Sequence, residues 1–288
     1  MLDLFPKNQI PYIIWAPSYC YWSSGVRALH LLVHALNQHG QTAYLHPENT
    51  LFGTHPGLDT PIITALPEHM NYYAENGIDP IVIYPEKIMG NPLWAKKVIR
   101  WLLAPAGLYG GPTEFPGEDV WSYMPSFAKD RGDDKVLRIP VSDTSIFYPP
   151  KQRYGERAGA CFYAHKYDKI HGKELLPITD GMTRVEGRPE VVADLLRKSS
   201  ACYTYENSQI IQEAQLCGCP VVLIRTEYFN QFPESAGHIP YGIRWHDELG
   251  HITPVAPDWT VQVKRRYERL IYEFEEQLER FINETQSM

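Results

Sequence analysis

The sequence predicts an α/β protein of two Rossmann-like domains with parallel sheets facing a cleft, followed by a long C-terminal helix. Three observations predict it. PYIIWAP (11–17), VRALHLLVHALNQHG (26–40) and TAYLH (42–46) read as strand, helix and strand, a βαβ unit whose strands must run parallel. ACFYAHK (160–166), PEVVADLLRKS (189–199), SACYTY (200–205) and PVVLI (220–224) repeat the alternation in the second half. PDWTVQVKRRYERLIYEFEEQLERFINE (257–284) sets Val261, Tyr267, Leu270, Ile271, Phe274, Leu278 and Phe281 on one apolar stripe of a charged helix.

Each element has a local reason. The first helix shows apolar residues at helical spacing and a stop at Gly40, and a polar, aromatic loop (SYCYWSSG, 18–25) precedes it. Strand-like segments recur at PIITALP (61–67) and DPIVIYPE (79–86), and the loop after each strand opens at the sheet's carboxyl edge, where ligands collect. LWAKKVIRWLLA (93–104) intersperses Lys96, Lys97 and Arg100 among Trp94, Val98, Trp101 and Leu102, which predicts an amphipathic surface helix. The second reading of that helix is a face making weak membrane-surface or acceptor contact. APAGLYGGPTEFPG (104–117) reads as a long loop, and RIPVSDTSIFYPPKQRYGERAG (138–159) as an interdomain linker. The expected domains are therefore 1–140, 141–256 and a helix, 257–288, packing back across them.

Bulk properties narrow the function. A chain of 288 residues suits two domains, and 44% hydrophobic with 21% charged residues is ordinary for a globular enzyme. A net charge of −7 argues against a nucleic-acid partner. The start, MLDLFPKNQIPYIIW, lacks the basic head and apolar core of a signal peptide. The apolar run at 101–108 is far short of the roughly 20 residues that a membrane span requires. A cytoplasmic location follows as the expectation, with peripheral contact at the inner membrane surface as its variant. Cys20, Cys161, Cys202, Cys217 and Cys219 show no disulfide-framework spacing and read as free thiols. Cys217 and Cys219 lack a second ligand pair, and His30 with His34 lack a third ligand, so no metal site is expected. The absence of GxSxG, Walker and GxGxxG motifs speaks against hydrolase, NTPase and dehydrogenase readings.

VSDTSIFYPP (141–150) fills a run of the form G-V-D-x-x-x-F-x-P with Asp143, Phe147 and Pro149. The span 195–222 holds Glu213-Ala214, Cys217-Gly218 and Pro220-Val221-Val222, and WAPSYCYWSSGVRALHLLVHAL (15–36) leads a loop into the first helix. Together these stretches resemble the GT-B glycosyltransferases, in particular the large retaining family that uses nucleotide-diphosphate sugars. The first looks like its interdomain signature, the second like its donor-binding core and the third like its N-terminal loop and helix. The resemblance covers most of the chain as an order of elements, while its specific motif is 195–222. It implies a GT-B fold and transfer of a sugar from a nucleotide-diphosphate donor to a hydroxyl of a glycan or lipid-linked acceptor, as in polysaccharide biosynthesis. It further implies retention at the anomeric carbon, no metal and no cofactor beyond the donor.

Candidate residues follow from the chemistry of such a donor. Its two phosphates suit a helix start, where N–H groups are unpaired and the dipole favours anions. Asn207, Ser208 and Gln209 are expected to supply that site, with Ser208 as N-cap of a helix over 209–216. The resemblance gives Glu213 the ribose hydroxyls; its plainer reading is a solvated helix carboxylate. The family places a glutamate eight residues earlier, where this chain has Tyr205, and Glu206 follows it. Glu206 is expected to face the donor sugar, with helix capping as the plainer role. Lys166 and Lys169, in HKYDKIHGK, are expected to neutralise the departing diphosphate, and Arg184 to touch base or phosphates. Ser24 and Gly25 would let a backbone approach the donor or acceptor. Tyr21, Trp22 and Glu86 are acceptor-side candidates; core capping and a helix-start acid are their alternatives. Two other functions stay open: a nucleotide-sugar epimerase or hydrolase of the same fold, and a non-catalytic sugar-nucleotide-binding module.

Overall fold

Ten parallel strands in two sheets carry the chain in the computed structural model, which describes residues 9–128, 135–150, 157–233, 242–247 and 259–288. The first sheet comprises β1 (Tyr12–Ala16), β2 (Ala43–Pro47), β3 (Ile81–Pro85), β4 (Lys97–Leu102) and β5 (Asp119–Ser122), in the order β2-β1-β3-β4-β5. The second comprises β6 (Ala160–Tyr163), β7 (Thr183–Arg184), β8 (Ala201–Thr204), β9 (Val221–Leu223) and β10 (Ile243–Trp245), in the order β10-β9-β8-β6-β7. The helices are α1 (Ser24–Gln38), α2 (Leu66–Glu75), α3 (Pro125–Ala128), α4 (Pro189–Lys198), α5 (Ile210–Leu216) and α6 (Trp259–Gln286). The chain divides into two compact units, Met1–Val141 with Leu270–Met288, and Ser142–Arg269.

The first sheet is apolar on both faces because helices cover both. Tyr12, Ile14, Ile81, Ile83, Ile99 and Trp101 pack with Leu29, Leu32 and Leu36 of α1 and Phe274, Leu278 and Phe281 of α6. The alternate residues Ile13, Val82, Tyr84 and Val98 pack with Ile63 and Tyr73 on the other face. The end of α6 is pinned to β1: Gln286 accepts from Ile10 N–H (2.9 Å) and donates to Ile10 O (2.8 Å), and Thr285 bonds the Tyr12 hydroxyl (2.7 Å).

Several expectations are corrected. Residues 93–104 are not a helix: Lys97–Leu102 is a strand between β3 and β5. Arg100 misled the pattern, since it is fully buried rather than exposed. Its guanidinium pairs with Glu118 at 2.7 and 2.9 Å and donates to the carbonyls of Pro85, Ile88 and Gly90. The membrane-surface expectation thereby loses the helix on which it rested. Residues 61–67 form only an isolated bridge, Leu45 to Ile62, before α2 begins. On α6, Val261 and Ile271 are exposed, and the buried stripe runs Val263, Tyr267, Leu270, Phe274, Leu278, Phe281. Strands β5, β7 and β10 and helix α2 were not anticipated. Residues 151–156 of the expected linker, and Pro257 and Asp258 at the expected helix start, lie outside the described residues. Among those residues, no helix is long and apolar enough to cross a membrane.

Candidate functional site

Tyr205 and Glu206 follow β8 directly and are both buried, with different partners. Tyr205 is fully buried with Phe162, Ala164 and Ile224, its hydroxyl bonded to Leu176 N–H (2.9 Å) and Thr179 Oγ1 (2.8 Å). The position where the resembling family has a glutamate is thus a core tyrosine here. Glu206 carries the carboxylate instead. Its Oε2 accepts the backbone N–H groups of Lys166 and of Tyr167 (3.2 Å). Those amides open a single π-helical turn, His165–Ile170, closed by His171 N–H to Lys166 O (3.0 Å). Glu206 therefore caps the turn after β6, and it does not cap α5. Thr204 fixes its backbone, accepting from Glu206 N–H (3.3 Å) and donating to Glu206 O (2.9 Å).

Burial raises the Glu206 pKa above its ordinary value, against the opposing pull of Lys166 and of the two amides. Its second oxygen, Oε1, is buried and has no hydrogen-bond partner among the described residues; the same holds for Ser208 Oγ and Asp168 Oδ1. Leaving one buried polar atom unbonded costs about 1–3 kcal/mol. All three atoms belong to the segments that follow β6 and β8.

The remaining residues of the second unit divide around this centre. Lys166 Nζ donates to Asn207 O (3.2 Å), so Lys166, Glu206 and Asn207 form one cluster. Lys169 is exposed at the far end of the turn and joins no ion pair among the described residues. Arg184 is engaged by Asp168 at 2.6 Å, which makes it a brace for the turn. Ser208 is not an N-cap: Gln209 is already helical in φ and ψ and immediately precedes α5, and no side chain caps that helix. Gln209 Nε2 instead donates to Ser142 Oγ (2.9 Å), which donates in turn to Glu213 Oε1 (3.3 Å). Glu213 is buried, which overturns its plainer reading as a solvated carboxylate. Ser142 is held by Tyr267, whose hydroxyl accepts from Ser142 N–H and donates to Ser142 O, both at 2.7 Å. Ser142, Thr204 and Asp168 were missed from sequence. Ser142 alone had a visible signal, standing next to Asp143 in the D-x-x-x-F run.

The carboxyl edge of the first sheet has a different make-up. Ser24 and Gly25 lie in the first turn of α1, not in a loop, because Ser23 is the N-cap and accepts from Val26 N–H (3.3 Å). The Leu103 side chain covers Gly25, 3.6 Å from where a Cβ would stand, so the open approach expected there is filled on that side. Glu86 is buried and accepts from Leu103 N–H (2.9 Å); it is a loop anchor and begins no helix. Burial raises its pKa, opposed by that amide. Tyr21 and Trp22 are exposed, so they do not cap the core. Tyr21 belongs to an aromatic group with Tyr19 (5.4 Å between centroids) and His55 (6.4 Å).

Among the described residues no group of three or more His, Cys, Asp or Glu is arranged to hold a metal. His30 donates from Nε2 to Pro17 O (3.0 Å), and His34 Nδ1 accepts from Asp59 N–H (2.9 Å). All five cysteines are free thiols, Cys20 half-buried and the others buried.

No family model matches the sequence, and no curated protein matches it. Solved structures do. A glycosyltransferase from Rickettsia africae ESF-5 superposes with a TM-score of 0.55 at 8% identity, covering 97% of this chain and 98% of that one. WaaG, a glycosyltransferase involved in lipopolysaccharide biosynthesis, superposes with a TM-score of 0.50 at 10% identity, covering 95% of each chain. The chain has the GT-B fold, two Rossmann-like units of parallel sheet with a long C-terminal helix.

Proposed function

We propose that the protein is a glycosyltransferase that moves a sugar from a nucleotide-diphosphate donor to a hydroxyl acceptor, with retention and without a metal. The observation that carries this reading is the set of unbonded buried atoms, Glu206 Oε1, Ser208 Oγ and Asp168 Oδ1, at the carboxyl edge of a parallel sheet. A donor sugar's hydroxyls would satisfy the two carboxylate oxygens. The hydroxyl of Ser208 would bond a phosphate oxygen, and Lys166 would offset the charge growing on the departing diphosphate. Glu213, held by Ser142, would accept from the ribose. The GT-B fold, shared with two structures named as glycosyltransferases, supports the same class of reaction. A glycan or lipid-linked acceptor would meet Tyr21 and Trp22 on the first unit, where both rings are exposed.

Release of nucleoside diphosphate, followed for UDP-, GDP-, ADP- and dTDP-sugars with and without a panel of neutral glycans, tests the proposal. Transfer requires release that depends on acceptor. Equal release in water alone would make the protein a hydrolase, an isomerised sugar would make it an epimerase, and tight binding with no release would make it a binding module.

A further inference from the structure

An open surface cavity of about 470 Å³ lies at the opposite, amino edge of the first sheet, away from every residue placed in the transfer site. One wall is a face of α2, which contributes Glu68, His69, Tyr72 and Tyr73; Tyr44 of β2 continues it. The rings stand in a row, each turned against the next. Tyr44 and His69 are 6.2 Å apart at 60°, His69 and Tyr73 6.4 Å at 54°, and Tyr73 and Tyr72 5.9 Å at 64°. None of the three pairs is stacked face to face.

The electrostatics of the lining all have one sign. No Lys or Arg lines the cavity, and its one carboxylate, Glu68, makes no ion pair among the described residues. His69 donates from Nδ1 to Ala65 O (2.8 Å), which fixes the ring against α2. Tyr73 is buried, which raises its phenol pKa and keeps that ring uncharged. The faces of tyrosine rings attract cations, and a carboxylate at the rim adds to the attraction.

We infer that this cavity binds a small organic cation, an ammonium group on a compact apolar body, through the Tyr44–His69–Tyr73–Tyr72 wall and the Glu68 carboxylate. The site owes nothing to the transfer reaction and stands whether or not that reading does. Its volume lies in the range that small-molecule sites occupy, roughly 300–1,000 Å³.

Choline and 3,3-dimethyl-1-butanol, its uncharged carbon isostere, separate the charge from the shape. Titration calorimetry on the full chain is expected to show choline binding at least about tenfold tighter than the isostere. Tyr72→Ala and Glu68→Gln should each weaken choline by about tenfold, while Tyr72→Phe, which keeps the ring, should not. Tyr72 and Glu68 are both exposed, so neither change should move the melting temperature, and a circular-dichroism melt checks this. Equal binding of the isostere, choline affinity indifferent to both substitutions, or no choline binding at millimolar concentration would each overturn the inference.

Discussion

The carboxyl edges of the two sheets are made of different materials. On the second unit the loops after β6, β8 and β9 carry Lys166, Asp168, Lys169, Lys173, Glu206, Arg225 and Glu227. On the first unit the loops after β1 to β4 hold Glu48, Asp59, Glu86, Lys87, Lys96, Glu114 and Glu118. Five of those seven are engaged within the fold: Lys87 pairs with Glu48 (3.4 Å), Lys96 with Asp79 (2.9 Å), Glu118 with Arg100, and Glu86 holds Leu103 N–H. Its exposed residues include Tyr21, Trp22, Leu51, Met89 and Leu108, with Lys87 and Glu114 beside them. Equivalent positions on one kind of sheet thus differ: the second carries unbonded oxygens of Glu206, Ser208 and Asp168, and the first carries more exposed aromatic and apolar side chains. The difference teaches that a shared sheet architecture leaves the chemistry of each edge to its loops.

The largest expected effect breaks the charged edge. Glu206→Gln keeps an oxygen to accept from Lys166 and Tyr167 but removes the charge; turnover should fall by about 100-fold with circular dichroism unchanged. Glu206→Ala also strands both amides and should cost about 2 kcal/mol in a denaturant melt. Next, Ser142→Ala removes the hydroxyl linking Gln209 to Glu213. Donor affinity should drop by about tenfold in calorimetry, a loss expected for one hydrogen bond to a charged group.

Glu86→Gln sharpens the contrast from the first unit. Burial raises the folded-state pKa of Glu86 above its unfolded value, so folding takes up protons. Its contribution to stability is therefore greatest below the unfolded pKa and declines as pH rises through the folded one. The glutamine still accepts from Leu103 N–H without a charge to desolvate. The variant should match the parent near pH 4 and melt progressively higher than it toward pH 8. The smallest effect belongs to Trp22→Ala: its ring is 65% exposed, and stability should change by no more than about 0.5 kcal/mol while acceptor affinity falls.

Much of this fold was legible because apolar runs at strand length and one long striped helix leave few arrangements. The failures share one cause. Arg100 and Glu86 are charged yet buried, and a pattern reader assigns charge to solvent; only the partners Glu118 and Leu103 N–H, remote in sequence, make their burial affordable. At the site, residue type was legible and direction was not. Glu206 was visible one position late, but its capping of the turn after β6 depends on a contact 40 residues away. Ser208 looked like a cap because it precedes a helix; its hydroxyl stays unbonded because the helix starts one residue later than a Ser208 cap requires.

Thermal stability measured with each of UDP-, GDP-, ADP- and dTDP-sugars most directly tests whether the charged edge seats the donor. At about 100 times its dissociation constant one of them should stabilise the chain by about 2.7 kcal/mol, and Glu213→Gln should abolish that gain. No stabilisation by any donor, or a gain that survives both Glu213→Gln and Ser142→Ala, would contradict the account.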